Sequence, residues 1–240
     1  VSDGPDLELR PATSADLPDI ARIFGATVLL GAPIAIGEHA MARYRALCLD
    51  GYFTGHDAVG GIVALEDGVV RGYLLHCLDQ RAFDRWQRRA AVRWVAGEAF
   101  AALTGRRSRA ELRFLRLRLV DGFRSLRGAP EPPYPAHAHF NLDHAVRGRS
   151  TGHRLAAAMD ELVAARGLDG WFGEMNLPEG FPTDALERAG AVLGHRQYNV
   201  TLSALTGMEV WRTTVQRPLA ARTETFARRA GVQQDAEVAA

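Results

Sequence analysis

Two histidines one residue apart, His137 and His139, precede a short turn made of arginine, glycine and hydroxyl residues, Arg147-Gly148-Arg149-Ser150-Thr151-Gly152. An imidazole titrates near neutrality, so the His-x-His pair is a candidate for taking a proton from a nucleophile. A packed, hydrogen-bonded pair of core histidines is the alternative. The turn offers different chemistry. Backbone N–H groups at the positive end of a helix dipole converge on an anion and bind phosphate. Proton transfer beside a pyrophosphate cradle is therefore the chemistry this stretch could perform.

The flanking pattern supplies elements to position those groups. Alternation over His137, His139, Asn141 and Asp143 suits a β-strand with these side chains on one face. Leu155, Met159, Leu162 and Val163 recur at helical spacing, so an amphipathic helix opens directly after the turn. Strand, tight turn and helix thus follow one another without a gap.

This segment resembles motif A of the GNAT acyltransferases, Q/R-x-x-G-x-G/A, with Arg147 in its first position, Gly152 in its last and Ser150 where the middle glycine is expected. The resemblance extends to Glu8–Asp16 as an opening strand and helix cap, and to Gly61–Leu75 as a hairpin. Tyr134-Pro135-Ala136-His137-Ala138-His139 resembles bacterial relatives of the C-terminal acetyltransferase-like domain of O-GlcNAcase, which also carry a helical insert between the third and fourth strands. The similarity spans roughly residues 7–219. It implies an α/β fold: a mixed central sheet splayed between strands 4 and 5, flanked by helices, the opening admitting a pantetheine arm. It further implies an acyl-CoA-dependent N-acyltransferase, with acetyl-CoA as co-substrate and a small-molecule amine as acceptor, acting by direct attack in a ternary complex. Two alternatives stay open: an acyl donor other than CoA, either aminoacyl-tRNA or a carrier protein, and a non-catalytic binding module.

Residue roles follow position by position. The cradle candidates are Leu142, Asp143, Val146, Arg147, Gly148, Arg149, Ser150, Thr151, Gly152 and His153, acting mainly through backbone N–H groups, with Asn176 after the fifth strand. Ser150 adds a Cβ where glycine permits close approach, although its hydroxyl can donate to phosphate. The catalytic candidates are His137, His139 and Asn141 on one strand, Glu174 as a base or equally an edge or structural carboxylate, and Tyr198 as a substitute acid, with a packed tyrosine its alternative. Leu186 stands where the family uses a tyrosine to protonate the leaving thiolate, and Ala191 replaces a phenylalanine. That departure puts standard acetyl transfer in doubt.

Composition narrows the field. The net charge of +1 gives no global field for nucleic acid. All 29 basic residues are arginine, so no lysine can serve as base or Schiff-base former. Two cysteines, Cys48 and Cys77, make neither a disulfide framework nor a zinc pattern, and no metal site is expected. No apolar run is long enough for a membrane span, and no signal peptide is read, so a cytoplasmic protein is expected.

Along the chain, one domain is expected over 1–219, with a polar tail at 220–240. A strand over Leu7–Arg10 leads to a helix capped at Thr13 or Ser14. A second helix covers about 38–50, and the hairpin turns at Glu66-Asp67-Gly68. Residues 81–127 read as two helices broken near Gly105, with Phe83, Trp86, Ala90 and Trp94 on one buried face and Phe114, Leu117 and Phe123 on the next. A strand over 170–175 and a short helix over 183–189 follow. Residues 193–205 and 208–215 read as a final strand pair, through which a homodimer could form.

Overall fold

The computed structural model describes residues 7–31, 36–128, 130–147 and 150–219. Gly148, Arg149 and the expected tail at 220–240 lie outside these described residues. Seven strands form one sheet in the order β1-β2-β3-β4-β5-β7-β6. They are β1 (Leu7–Pro11), β2 (Val59–Glu66), β3 (Val69–Cys77), β4 (Ala136–Leu142), β5 (Gly170–Pro178), β6 (Val192–Tyr198) and β7 (Val210–Pro218). The helices are α1 (Leu17–Thr27), α2 (Glu38–Leu49), α3 (Gln80–Leu103), α4 (Arg109–Gly128), α5 (Thr151–Ala165), α6 (Asp184–Arg188) and α7 (Val200–Thr206).

Strands β1 to β4 pair antiparallel, as do β5, β7 and β6. The two halves meet where β4 and β5 run parallel, and there they pair only at Ala136 with Trp171 and His137 with Phe172. Beyond those residues the strands part, which is the expected splay. β4 continues through Leu142 on β3 alone, and β5 continues through Pro178 on β7 alone.

Alternation divides the core in two. On one face Ala136 and Ala138 of β4 and Trp171 of β5 pack with Leu155, Met159 and Val163 of α5. On the other, Phe24 of α1, Tyr44 of α2, Tyr73 of β3, Phe83 of α3 and Phe114 of α4 form a second cluster around Tyr52. His137 and His139 project towards this second, aromatic face, where their rings lie against Phe83, Tyr52 and Phe24.

The insert is two helices, as the sequence predicts, but its faces differ from expectation. Phe83 and Phe114 are buried, whereas Phe123 is 54% exposed. Leu112, Leu119 and Phe123 instead line a shallow groove of ≈ 920 Å³ on the outer side of α4. The inward side of α4 carries Phe114, Arg118, Asp121 and Ser125 at helical spacing. Phe114 packs edge-on against Tyr44 at 5.2 Å. At the other end Ser125 Oγ accepts from Arg212 of β7. α4 therefore spans from the β4 half of the sheet to the β5 half.

Residues 200–205 are helical, not a strand continuing from β6. The reason is polar rather than apolar. Asn199 Oδ1 caps the helix by accepting from Leu202 N at 3.0 Å. Asp121, reaching over from α4, accepts from Val200 N at 2.8 Å, Thr201 N at 2.9 Å and Thr201 Oγ1 at 2.5 Å. Gly207 ends the helix in the left-handed region, with φ 73°. Two of the donors that every helix start leaves unpaired are thus satisfied from a distant element.

Candidate active site at the splay

β4 presents its backbone to the gap in a definite pattern. The Ala138 carbonyl oxygen approaches β5 so closely that a Cβ added at Gly173 would lie 3.0 Å from it. The odd-numbered neighbours point the other way, since Asp143 N donates to Arg71 O on the β3 side at 2.7 Å. By strand alternation the N–H and C=O groups of Phe140 and Leu142 face the splay, where β5 no longer pairs with them. These are backbone donors and acceptors aimed into an open cleft. The sequence reading reached Leu142 but missed Phe140, whose apolar side chain gives no hint of a useful N–H.

α5 begins at the lower end of this cleft. The first helical turn leaves the Thr151, Gly152 and His153 N–H groups without a partner among the described residues, and Arg154 N is the first to close, on Ser150 O at 2.9 Å. Ser150 is exposed at the N-cap and its side chain makes no capping bond. A Cβ added at Gly152 would meet only Leu142 Cδ1, at an ordinary 3.5 Å. Packing among the described residues does not demand glycine there. Asp143 has a different task from the one expected. It caps the 3-10 turn of His144–Val146 by accepting from Ala145 N at 3.2 Å, and it pairs with Arg22 at 3.0 Å. It anchors the loop rather than facing the cleft. Arg147 is exposed and donates to Leu142 O at 3.3 Å, and Val146 is buried beneath it.

The two histidines are held differently. His137 is buried, and both ring nitrogens are engaged. Gln80 donates through Nε2 to Asp84 at 2.7 Å, which turns its carbonyl oxygen towards His137 Nδ1. Nδ1 must then carry the proton, and Nε2 accepts from the Tyr52 hydroxyl at 2.6 Å. Burial pushes the His137 imidazole down to about 3. His139 is only partly buried. Its Nε2 lies 3.2 Å from the Tyr73 hydroxyl and 3.2 Å from Asn141 Nδ2, while Asn141 Nδ2 donates to the Tyr73 oxygen at 2.7 Å. Its Nδ1 has no partner among the described residues. Desolvation pushes this ring down to about 4. The expectation of near-neutral titration is corrected for both: each is a neutral imidazole at pH 7, and only His139 stands clear of a closed hydrogen-bond chain.

Across the cleft, Phe172 of β5 contacts the His137 ring at 5.8 Å, so Glu174 and Asn176, two and four residues on, share that face. Glu174 is exposed, with Arg212 at 3.7 Å. Asn176 accepts from Asn199 Nδ2 at 2.8 Å. Tyr198 is not brought to this site. Its neighbour Gln197 reaches Arg212 on the face that carries Glu174, so Tyr198 lies on the opposite face, edge-on to Trp211 at 5.6 Å. Leu186 is half-buried on α6 and has no titratable group. Among the described residues no cluster of three or more His, Cys, Asp or Glu could hold a metal, and no helix is long and apolar enough to cross a membrane.

No family model matches the sequence, and no curated protein matches it. Solved structures do. SsHAT aligns over 89% of this chain and 98% of its own, with a TM-score of 0.55 and 19% identity. A GCN5-related N-acetyltransferase from Kribbella flavida aligns over 89% and 98%, with a TM-score of 0.50 and 18% identity. An N-acetyltransferase from Staphylococcus aureus Mu50 aligns over 89% and 99%, at 0.50 and 12%. The fold is the GNAT fold. The parallel β4–β5 pair, splayed beyond two residues, is its centre.

Proposed function

We propose that this chain is an acyl-CoA-dependent N-acyltransferase that moves an acetyl group from acetyl-CoA to a small-molecule amine. The observation that carries this is the conjunction of a strand edge, Phe140 and Leu142, left unpaired by β5, and a helix start, Thr151 to His153, whose N–H groups have no partner among the described residues. An amide-bearing arm fits the first and a pyrophosphate fits the second. The residues that would hold the co-substrate are Leu142, Ser150, Thr151, Gly152 and His153, with Arg147 at the rim and Asn176 on the far wall.

In the transfer step the neutral amine attacks the thioester carbonyl, and the C–S bond breaks as the C–N bond forms. One N–H of this edge, that of Phe140 or that of Leu142, would hold the carbonyl oxygen as charge develops on it, and the other, about 7 Å along the strand, would take an amide of the arm. The nitrogen sheds one proton and the thiolate gains one, so the chain has only to route it. Glu174 is positioned to receive the ammonium, and His139 and Asn141 border the same space. His137 acts at one remove, by orienting Tyr52. Leu186 and Tyr198 take no part in this arrangement.

Thiol release from acetyl-CoA, followed against a panel of small amines, tests the proposal. Turnover should appear with the wild type, fall about 100-fold in Glu174→Gln, the usual size of a lost proton-transfer group, and fall by less in His139→Gln, whose ring only borders the site. Undiminished turnover in both variants would remove those residues from the mechanism.

A further inference from the structure

Arg118 has a large, unspent capacity to donate hydrogen bonds. Its guanidinium lies over the Tyr44 ring, 5.2 Å from the centroid. Among the described residues its one carboxylate within 4 Å is Asp121, at 3.7 Å, too far for a hydrogen bond. Asp121 is in any case committed to the start of α7 through three donors. Arg118 makes no hydrogen bond to any described residue, yet its side chain is only 27% exposed. A flexible arginine with no task would extend into water. This one stays over an aromatic ring, with its N–H donors unpaired among the described residues.

The helix geometry says where. Arg118 sits on the inward side of α4, between Phe114, which packs on Tyr44, and Ser125, which reaches Arg212. It therefore stands over the splay, facing the space that Glu174 faces from β5. Glu174 is near enough to act electrostatically on both Arg118 and Tyr52. Glu174 is also little used, its only ion pair among the described residues being the 3.7 Å contact with Arg212. Arg212 in turn is occupied by Ser125 and Gln197. One cation and one carboxylate, each with free hydrogen-bonding capacity, thus border one cleft without neutralising each other directly.

We propose that the acceptor is an amine that also carries an anionic group, a carboxylate or an equivalent oxyanion, with Arg118 gripping the anion while Glu174 receives the ammonium. The inference rests on the acyltransferase reading and adds the acceptor's chemical class to it. A bidentate guanidinium–oxyanion contact fixes orientation as well as affinity. It would turn the amine of such a molecule from the α4 side towards the thioester. The helical insert then has a function: it delivers a specificity residue that the sheet itself lacks.

The test compares free amino acids with their methyl esters, which keep the amine and remove the negative charge. Thiol release from acetyl-CoA gives kcat/KM for each, and calorimetry gives acetyl-CoA affinity separately. The wild type should prefer free acids over esters by about 10- to 100-fold, the range of a charge-assisted hydrogen bond. Arg118→Met, which keeps the stem packed on Tyr44, should abolish that preference through KM while acetyl-CoA binding stays unchanged. Arg118→Lys, which keeps charge without the fork, should recover only part of it, and guards against a folding defect in the first variant. Acetyl-CoA binding with esters used as well as acids, with no turnover of any anionic amine, or with a preference that survives Arg118→Met would overturn the inference and leave the acyltransferase reading standing. Failure to bind acetyl-CoA would overturn both.

Discussion

The carbonyl oxygen of Gln80 accepts a hydrogen bond from His137 Nδ1–H, and so leaves Nε2 of that ring as the acceptor for the Tyr52 hydroxyl. Asp84 fixes the amide by accepting from its Nε2, so a surface carboxylate, an amide, an imidazole and a phenol form one ordered chain. An amide does not pass protons readily, so the chain holds Tyr52 in place rather than relaying charge. Gln80→Leu should strand a buried N–H and cost about 1–3 kcal/mol of stability, measurable by urea unfolding. Gln80→Glu should do something different. A carboxylate beside Nδ1 favours the imidazolium, so the His137 titration should move up from about 3, as followed by NMR of the ring proton. An unmoved titration would mean that Gln80 does not face that nitrogen.

Acid should unfold this protein early. His137 and His139 titrate at about 3 and about 4 when folded, against 6.5 for a free histidine. Between pH 6.5 and about 4 the unfolded chain binds protons that the folded chain refuses. Stability is therefore full above 6.5 and declines as pH falls through that window, by about 1.4 kcal/mol per pH unit for a fully buried histidine and less for the partly exposed His139. Unfolding midpoints across the range should show this slope, and His137→Gln should flatten it. A pH-independent midpoint between 7 and 5 would contradict the buried, neutral assignment.

Asp121 ties the insert to the far half of the sheet. Asp121→Ala removes the acceptor for Val200 N, Thr201 N and Thr201 Oγ1 together. About 2–4 kcal/mol of destabilisation is expected from several buried donors left unpaired. Hydrogen exchange should locate it in residues 199–206, with the β4 half protected as before. Uniform loss of protection would show that the two halves do not respond separately.

What the sequence disclosed, and what it withheld, follows from the range of the interactions. The His-x-His strand and α5 were legible because each rests on spacing within a few residues. The hairpin at Asp67-Gly68 was legible for the same reason, since both residues take positive φ. α7 was misread as strand because its decisive partner, Asp121, lies some 80 residues away in sequence. The depression of both histidines was illegible because it comes from the aromatic shell that Tyr52, Tyr73 and Phe83 build around them. Which face Tyr198 takes was illegible because the one-residue step that reverses a strand's faces depends on register, which Gln197 and Arg212 fix only in the folded sheet. Arg118 gave no signal among so many arginines, and only its place over the splay distinguishes it.

The most direct test of the proposed site is a calorimetric titration of the wild-type protein and Gly152→Trp with acetyl-CoA, using free CoA as comparator. A cradle at the start of α5 predicts saturable binding to the wild type and binding weakened at least 10-fold in the variant, whose Cβ meets only Leu142 among the described residues and whose indole would compete with the ligand. Equal affinity in both proteins, or no binding to the wild type at millimolar ligand, would contradict a CoA site at the start of α5.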